Sequence, residues 1–579
     1  MAQLRRATVI GLVVGLVMLY LAGVGLIGAF ANREVVTEYL SLGQLMLLAP
    51  LLLGGYAMAR QAASVIQRLA IGAMAGGMGG AVFALGILAV LALSPGIRDV
   101  FIRINENLLS FVLFGLDPGP GALLIVGLGL GLGLVGASLP VVPPSVRRGL
   151  LSGVAGVILM SMLEPFVRPR LTDFDLHDVV VFLYQARGLR PVAALVVFAV
   201  SALLGLGWRP ARAEVSRRFA EADPGAQRMW RWVAALLFIA FIVTLPQLTG
   251  VFITQVLVLV GLYVLLGLGL NIVVGYAGLL DLGYVAFYAV GAYFTALLTS
   301  PTSSLGIGLN FWVALPLVVL GSAMIGLFIG APVLRLRGDY LAIVTLGFGE
   351  IARVLFLSDA LAPWFGGVQG ILSIPDIIGE GTYALPLLGE IRGPAATYYP
   401  LVGFCLVAAF VAWRLKYSRT GRAWNAMRED EDVAQATGVN IVNYKLLAFA
   451  MGAAIGCLGG AIFATHLESV FPGTFNVLVS ITVLAVVILG GMGSIPGVVL
   501  GSFALIGLPE LLREFAEFKL LVYGGVLVLM MILRPEGFVP DVTRRRELHE
   551  AEEGEEDEGD DGDENLTPRD ATQPAPIQA

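Results

Sequence analysis

Long apolar runs that end at charged residues or at proline dominate the pattern of this 579-residue chain. Most runs approach the roughly 20 residues that an α-helix needs to cross a hydrocarbon layer of about 30 Å. The pattern predicts an all-α polytopic integral membrane protein with about 16 transmembrane helices, about six N-terminal ones and about ten in a second block. The predicted spans are 7–30, 39–58, 69–93, 121–143, 149–164, 191–208, 232–247, 251–274, 278–299, 311–334, 340–357, 398–414, 446–466, 475–493, 496–512 and 518–534.

The composition supports this prediction, because only 13% of the residues are charged and 58% are hydrophobic. Soluble globular chains average about 25% charged and about 45–50% apolar residues. A chain with half the usual charge does not cover a water-exposed surface, so we expect the lipid bilayer to be its solvent.

The basic residues predict an orientation, since short cytoplasmic loops are enriched in Lys and Arg. With Arg5 and Arg6 inside, every later basic cluster falls on the same side of the membrane, and both termini are predicted to be cytoplasmic. These clusters are Arg60 and Arg68; Arg147 and Arg148; Arg209, Arg212, Arg217, Arg218, Arg228 and Arg231; Arg335 and Arg337; Lys416, Arg419, Arg422 and Arg428; and Arg544, Arg545 and Arg546.

Changes in composition predict the domain organisation. The basic loop 209–231 is the predicted cytoplasmic linker, and residues 1–208 before it form a membrane extension whose role no motif indicates. Residues 232–540 form the second block of spans. Residues 541–579 include the run EEGEEDEGDDGDEN and few apolar groups, which predicts a disordered acidic cytoplasmic tail. A purely solvated tail and a docking tail both remain open.

Enzyme signatures are missing from the sequence. A P-loop needs Lys followed by Ser or Thr, whereas Lys416, Lys445 and Lys519 are followed by Tyr, Leu and Leu. Cys405 and Cys457 stand alone in apolar runs, which gives neither a disulfide framework nor a metal-ligand spacing. We therefore expect no enzyme activity, no cofactor, no metal and no nucleic-acid partner.

One glycine pattern resembles a nucleotide-binding fingerprint without its context. Gly131, Gly133 and Gly136 match G-x-G-x-x-G, but they lie inside an apolar run with no strand before it. Glycines in such a run let neighbouring helices pack closely.

The run 270–294 contains polar groups and glycines that an ordinary span would not carry. A carboxylate and an amide at membrane depth are costly unless they face a cavity or a partner, and glycines permit unwound backbone beside a water-filled path. A broken helix near a substrate route and tight helix packing, with the acid at a membrane boundary, are both compatible with it. The residues concerned are Asn271, Gly275, Gly278, Asp281 and Gly283.

A second intramembrane acid, Glu350, lies about eleven residues into a predicted helix, with Arg353 three positions later. This spacing puts the two side chains on one helix face, where they can pair. A gating or substrate contact and a structural ion pair near the outer boundary both remain open.

Residues 416–445 form a polar segment between two predicted spans. A charged connection of this length is unusual in a compact domain. The pattern predicts one short helix from Arg422 to Ala436, a turn at Gly438 and a basic anchor at Lys445. A helix presented on the cytoplasmic face suits a soluble partner; an ordinary solvated loop is the alternative.

Five ordered stretches resemble the LivM-like permeases of branched-chain amino acid ABC importers, across about 230–540. The resemblance implies a translocation subunit without its own ATPase, in the plasma (inner) membrane of a bacterium or archaeon. It further implies a second, LivH-like permease, two ABC ATPase subunits and an extracytoplasmic amino-acid-binding protein as partners. The stretches are GLNIVVGYAGLLDLGYVAFYAVGAY, VLRLRGDYLAIVTLGFGEIARVL, SRTGRAWNAMREDEDVAQATGVN, LAVVILGGMGSIPGVVLG and MMILRPEGFVP.

The resemblance also implies residue roles. ATPase closure would move a coupling loop and bias the spans between outward and inward states. The family pattern places Gly421, Arg422, Met427, Arg428, Glu429, Asp430 and Gly438 in that loop. The expected substrate path comprises Asn271, Gly275, Gly278, Asp281, Gly283 and Glu350.

Two features depart from the family. The loop 366–371 reads GGVQGI where the family has a GGPNGI-type element, and the six N-terminal spans exceed the expected extension. A urea or short-amide ABC permease is an alternative within the class. A self-sufficient secondary transporter is a second one, although we find no matching halves between 1–230 and 231–540.

Overall fold

The computed structural model describes most of the chain. It divides into two compact units, Met1–Leu236 and Leu237–Ala579. The described residues are 2–59, 64–92, 106–173, 175–185, 188–221, 223–333, 336, 338–377, 383–385, 389–391, 393–511, 524–525, 528 and 537–539.

The first unit consists of apolar helices and one small sheet. Its strands follow the order β2-β1-β4-β3, with β1 antiparallel to β2 and parallel to β4. The elements are α1 (Ala2–Gly23), α2 (Leu26–Ala29), β1 (Glu34–Val36), β2 (Leu40–Ser41), α3 (Leu42–Ala59), α4 (Val65–Ala92), α5 (Glu106–Val112), α6 (Pro118–Ser138), α7 (Pro144–Met162), α8 (Glu164–Asp173), α9 (His177–Leu183), β3 (Tyr184–Gln185), β4 (Gly188–Leu189) and α10 (Pro191–Glu221).

Glycines let α4 and α6 approach each other at backbone distance. A Cβ at Gly129 would collide with the carbonyl oxygen of Gly76, and one at Gly133 would collide with that of Gly72. Small residues at a helix interface are the usual means of close packing in membranes, where hydrophobicity alone gives no preference for a protein neighbour over lipid. The glycines of the apparent G-x-G-x-x-G pattern thus lie in a packed helix.

A charged cluster lies where the small sheet meets α7 and α8. Arg33 Nη1 lies 3.5 Å from Glu164 Oε2, and Arg168 Nη1 lies 3.1 Å from Glu164 Oε1. Arg33 also donates to the carbonyl oxygen of Ser161 at 3.2 Å. Glu164 is therefore buried between two arginines, as a buried carboxylate requires.

The second unit contains the remaining elements. Helix α11 straddles the division between the units and breaks at Gly250, whose φ of 83° and ψ of 178° are not helical. The elements are α11 (Pro224–Leu270), a π-helix (Asn271–Tyr276), α12 (Val285–Thr299), α13 (Phe311–Val333), α14 (Asp339–Leu357), α15 (Ala362–Phe365), a 3₁₀ turn (Gly367–Gln369), β5 (Tyr383–Leu385), β6 (Gly389–Ile391), α16 (Pro394–Lys416), α17 (Arg419–Glu429), α18 (Glu431–Ala436), α19 (Ile441–Leu467), a 3₁₀ turn (Pro472–Thr474), α20 (Val477–Gly490), α21 (Ile495–Ser502), a second π-helix (Phe503–Gly507) and α22 (Leu508–Leu511).

Helix α19 is the centre of this unit and packs against both α12 and α13. A Cβ at Gly291 would collide with the backbone of Cys457, and one at Gly460 would collide with the carbonyl oxygen of Tyr288. The backbones of α12 and α19 therefore touch, and the helix that follows the polar segment is fixed to the centre of the unit.

The predicted all-α polytopic class is confirmed. Among the described residues, ten helices are long and apolar enough to cross a membrane, or eleven if the pair Pro144–Met162 and Glu164–Asp173, bent by 68°, forms one span. Shorter apolar helices are Pro191–Gly207, Val285–Thr299 and Ile495–Leu511. The total of about 16 transmembrane helices stays a prediction.

Two local predictions are wrong. Residues 209–231 do not form the predicted loop, because α10 continues through Glu221 and α11 begins at Pro224; their role as a cytoplasmic linker stays a prediction. The span predicted at 278–299 is helical only from Val285, since the preceding residues are unwound. The span 518–534, apart from three residues, and the acidic tail 541–579 lie outside the described residues.

Candidate functional site

The first broken span begins where α11 changes into a π-helix at Asn271. The turn after it is closed by the Ala277 amide, which donates to the Ile272 carbonyl at 3.2 Å, and Gly278 has a φ of +72°. Irregular backbone then continues to the start of α12. We call residues 271–284 the first break; π-turns inside helices often mark functional positions.

Asn271 joins this break to a distant part of the chain. Its side chain is fully buried, and its Oδ1 accepts a hydrogen bond from the amide of Gly493 at 2.8 Å. A Cβ at Gly275 would lie 2.6 Å from that same amide nitrogen, so a side chain at this position would displace the contact. Asn271 Nδ2 is buried and has no hydrogen-bond partner in the described part of the chain.

Asp281 is the buried acid of the first break, with 1% of its surface exposed. Its Oδ1 accepts from the amide of Gly283 at 2.9 Å, whereas Oδ2 has no hydrogen-bond partner among the described residues. A buried polar atom of this kind is rare in folded proteins and calls for a ligand, a water or a conformational role.

Three helices hold the end of the first break through hydrogen bonds. Thr345 of α14 accepts from the Leu282 amide at 3.1 Å, and Ser480 of α20 accepts from the Val285 amide at 2.9 Å. The hydroxyl of Tyr284 donates to the carbonyl of Gly452 in α19 at 2.9 Å. The unwound backbone is therefore satisfied by protein groups, which a non-helical segment at membrane depth requires.

A second break, residues 490–494, separates α20 from α21. Gly491 and Gly493 have φ angles of 113° and 82°, which a residue with a side chain rarely adopts. The amides of Phe538 and Val539 donate to the carbonyls of Leu489 and Gly490 at 2.9 and 3.0 Å. Residues 538 and 539, which belong to the PEGFVP motif of the sequence, therefore pair with this break through backbone contacts.

The polar segment folds into two helices, and the single helix predicted from Arg422 to Ala436 is wrong. Asp430 has extended backbone, with φ −152° and ψ 114°, so it ends α17. Its carboxylate then accepts from the amides of Asp432 and Val433 at 2.8 and 2.9 Å and caps α18. Asp is a preferred N-cap residue, and Gly438 terminates the second helix with a φ of +91°.

Two contacts fix this helix pair to the start of α19, one from Trp424 and one from Lys445, the basic anchor that the sequence predicts. Trp424 is fully buried, and its Nε1 donates to the carbonyl of Tyr444 at 2.9 Å. Lys445 Nζ lies 2.6 Å from Glu431 Oε1, and the two side chains are 3% and 21% exposed. The one tryptophan of an otherwise polar segment was the available signal for this anchoring.

Two basic side chains of the polar segment reach the breaks. Arg428 Nη1 donates to the carbonyl of Gly275 at 3.0 Å, and a Cβ at Gly278 would lie 2.5 Å from Arg428 Cγ. Lys416 Nζ donates to the carbonyl of Gly493 at 2.9 Å and lies 5.7 Å from the centre of the Tyr276 ring. The segment thus contacts both broken spans.

The remaining residues predicted in the coupling loop have different surroundings. Gly421 and Met427 are buried, and a Cβ at Gly421 would collide with the last carbonyls of α16. Arg422, Glu429 and Asp430 are exposed. The polar segment thus has an exposed charged side and a buried side that attaches it to the rest of the unit; a docking role for the exposed side stays a prediction.

Glu350 has surroundings unlike those of the break residues. It pairs with Arg353, whose Nε lies 3.0 Å from both carboxylate oxygens. The Glu350 and Arg353 side chains are 41% and 27% exposed, so the pair is only partly covered by the rest of the chain. The predicted one-face pairing is confirmed by this geometry, and a place for Glu350 in the substrate path stays a prediction.

The loop that departs from the family pattern is well fixed. Gly366 and Gly370 have φ angles of 76° and 64°, and Ile371 forms two backbone hydrogen bonds with Val470, at 3.0 and 2.9 Å. Val368, one of the two departing residues, is 74% exposed. Within the described ranges, no group of three His, Cys, Asp or Glu residues is arranged to hold a metal ion.

These features define the class of the protein. Spans that are broken by glycines, hold buried polar groups and contact a structured segment between spans are the construction of a membrane transport protein. Residues 252–533 match the family described as branched-chain amino acid transport system / permease component.

Several individual proteins are similar in sequence to this chain. The high-affinity branched-chain amino acid transport system permease protein LivM of Salmonella typhimurium is 44% identical over 296 residues, which is 48% of this chain and 68% of the relative. LivM of Escherichia coli is 42% identical over 326 residues, 53% of this chain and 74% of the relative. LivH of Salmonella typhimurium is 23% identical over 294 residues, 49% and 93% of the two chains. No solved structure matches the chain.

The chain therefore belongs to the branched-chain amino acid transport permease family, which confirms the resemblance stated from the sequence.

Proposed function

We propose that this chain is the translocation subunit of an ABC importer for branched-chain, hydrophobic amino acids. The observation that carries the proposal is the polar segment, which exposes Arg422 and Glu429 on one side and donates from Arg428 to a broken span on the other. A permease without an ATP-binding site of its own needs such a segment, because work done by an ATPase must reach the spans. Membership of the permease family supports this function.

In this importer the chain pairs with a LivH-like permease, two ATPase subunits and an extracytoplasmic binding protein. Relatives of both the LivM and the LivH type support a complex of two related permeases. The exposed side chains of α17 contact the ATPase subunits, the buried side chains of the helix pair hold it on α19, and both termini lie on the cytoplasmic side. The plasma (inner) membrane is the location that the relatives and the apolar helices support.

The first break forms part of the substrate path in this proposal. A free amino acid carries an ammonium and a carboxylate, which need an acceptor and a donor when they leave water. Asp281 Oδ2 and Asn271 Nδ2 are buried atoms of those two kinds without a partner in the described residues. They complement the two charged groups of the substrate, and the surrounding apolar side chains suit its aliphatic part.

ATP-dependent uptake of radiolabelled leucine into proteoliposomes tests the proposal, with the complex that contains this chain. Arg422→Glu reverses an exposed charge of α17 and is expected to abolish uptake by preventing stable binding of the ATPase subunits. Arg422→Lys keeps the charge and serves as the matched control, with uptake close to that of the native complex. Copurification of the ATPase subunits is measured on each sample.

Other outcomes identify the alternatives. Uptake driven by an ion gradient without any ATPase would contradict the importer and favour a secondary transporter. Competition by excess unlabelled urea, with none by valine or isoleucine, would replace the proposed substrate by a short amide.

A further inference from the structure

The two basic side chains that reach the breaks form one connected set of contacts. Arg428, in the last turn of α17, donates to the Gly275 carbonyl of the first break. Lys416, at the end of α16, donates to the Gly493 carbonyl of the second break. Hydrogen bonds from charged donors are shorter and stronger than neutral ones, so each contact is a firm attachment between the polar segment and a broken span.

The breaks are also attached to each other. The amide of Gly493 donates to Asn271 Oδ1, and Gly275 packs against both groups without room for a side chain. The two backbone polar groups of Gly493 thus have different partners: its amide donates to Asn271 of the first break, and its carbonyl accepts from Lys416. A displacement of either basic side chain therefore acts on both breaks.

The polar segment is held as a rigid body on the side away from these contacts. Trp424 and the Glu431–Lys445 ion pair fix α17 and α18 to the first turn of α19. By contrast, the breaks contain a π-helix and glycines of positive φ, which are positions where backbone angles change at low cost. Movement of the helix pair is accordingly transferred to the breaks and is not absorbed within the pair.

From this geometry we infer that Arg428 and Lys416 are positioning residues that transmit the movement of the polar segment to the two breaks. Arg428, which the family pattern places in the ATPase-docking loop, acts on the membrane side of that loop. ATPase closure displaces α17, Arg428 shifts the Gly275 carbonyl, and Lys416 shifts the Gly493 peptide in concert. This inference rests on the proposed function, because it assigns the energy input to an ATPase bound at α17.

The leucine transported per ATP hydrolysed, measured with the full importer complex in proteoliposomes, tests the inference. Arg428→Met and Lys416→Met keep an unbranched, flexible side chain and remove the donors. Each variant is expected to copurify with the ATPase subunits and to hydrolyse ATP. The leucine-to-ATP ratio should fall about tenfold or more, because each variant loses a charged hydrogen bond between the polar segment and a break. Arg428→Lys retains a charge and is expected to recover part of the ratio. Arg33→Met, in the first unit and outside the polar segment, is the matched Arg-to-Met control and leaves the ratio unchanged.

Hydrogen exchange of the same complexes gives a second readout that does not depend on transport. In both variants, peptides covering residues 271–284 and 489–494 should exchange faster, because the contacts that hold these breaks are weakened. Peptides of α4 and α6 should exchange at the native rate. Equal protection of the breaks in native and variant complexes would overturn the inference.

Failure of this inference differs from failure of the proposed function. An unchanged leucine-to-ATP ratio in both variants would show that Arg428 and Lys416 do not transmit movement, while the importer function stands. Loss of the ATPase subunits from the Arg428→Met complex would show that Arg428 acts in docking and would overturn its assignment as a positioning residue. A native complex without ATP-dependent uptake would instead overturn the proposed function.

Discussion

The two compact units pack their helices by the same device but differ in where they place polar groups. In the first unit, α4 and α6 approach each other through glycine backbones and run without a break. In the second unit, α12 and α19 do the same, but the neighbouring spans are interrupted by π-helices and glycine turns. Close packing alone therefore does not distinguish the uninterrupted helices α4 and α6 from the broken spans of the second unit.

The two units differ in their charged and polar contacts. In the described part of the first unit, Glu164 is shared by Arg33 and Arg168 at the margin of the helices. In the second unit, the contacts of Asn271, Arg428 and Lys416 connect segments far apart in sequence across unwound backbone. Contacts of the second kind can be exchanged during a conformational cycle, so we expect variants of the two units to affect different properties.

The largest effect on stability is expected for Lys445→Met, which takes the ammonium away from the Glu431 carboxylate. Loss of one partner of a buried ion pair costs about 3–5 kcal/mol in the free energy of unfolding. Because Glu431 is partly exposed, we expect a loss near the lower end of that range. The thermal unfolding midpoint of the purified full chain in detergent measures it. The double variant Glu431→Gln with Lys445→Met should recover more than half of the loss; no recovery would show that the pair is not the cause.

An intermediate effect is expected for Gly133→Ala in α6, because its Cβ would collide with the carbonyl oxygen of Gly72. Overpacking of this kind costs about 1–3 kcal/mol. Gly131→Ala, two residues earlier in the same helix, meets no atom within 4 Å and should keep or raise the unfolding midpoint. Equal midpoints for the two variants would contradict the close backbone contact between α4 and α6.

The smallest effect is expected for Arg33→Met. Glu164 keeps Arg168 as a partner, so we expect a loss of about 1 kcal/mol in the free energy of unfolding, the value of an ordinary hydrogen bond. The leucine-to-ATP ratio of the complex should stay native, in contrast with Arg428→Met. A fall in this ratio would show that the first unit takes part in coupling and would remove the difference between the units.

The sequence by itself determined the class of the protein and its family. Uncharged runs of span length leave lipid as the only solvent in which the chain can bury its surface, and the ordered motifs between about 230 and 540 identified the permease family, as the comparisons confirm. Asn271 and Asp281 were also identifiable, since polar side chains in an apolar run are costly without a specific role. Both are buried in the first break.

The division of the polar segment was within reach of the sequence but was predicted wrongly. Asp430 precedes two further acidic residues, which is the composition of a helix N-cap and first turn, whereas the polar pattern of residues 422–436 as a whole predicts one continuous helix. The burial of Trp424 depends on Tyr444, twenty positions later, and has only a weak local signal.

Tertiary structure alone decided which groups meet. Asn271 and Gly493 are 222 positions apart, and Arg428 and Gly275 are 153 apart, so no local pattern specifies either contact. The direction of Arg428 toward the breaks, while Arg422 remains exposed, follows from how α17 is fixed to α19 by Trp424. Hydrophobic periodicity and charge determine whether each segment faces lipid or water. Packing determines which distant residues become hydrogen-bond partners, because a hydrogen bond at membrane depth forms only where the folded backbone brings its donor and acceptor together.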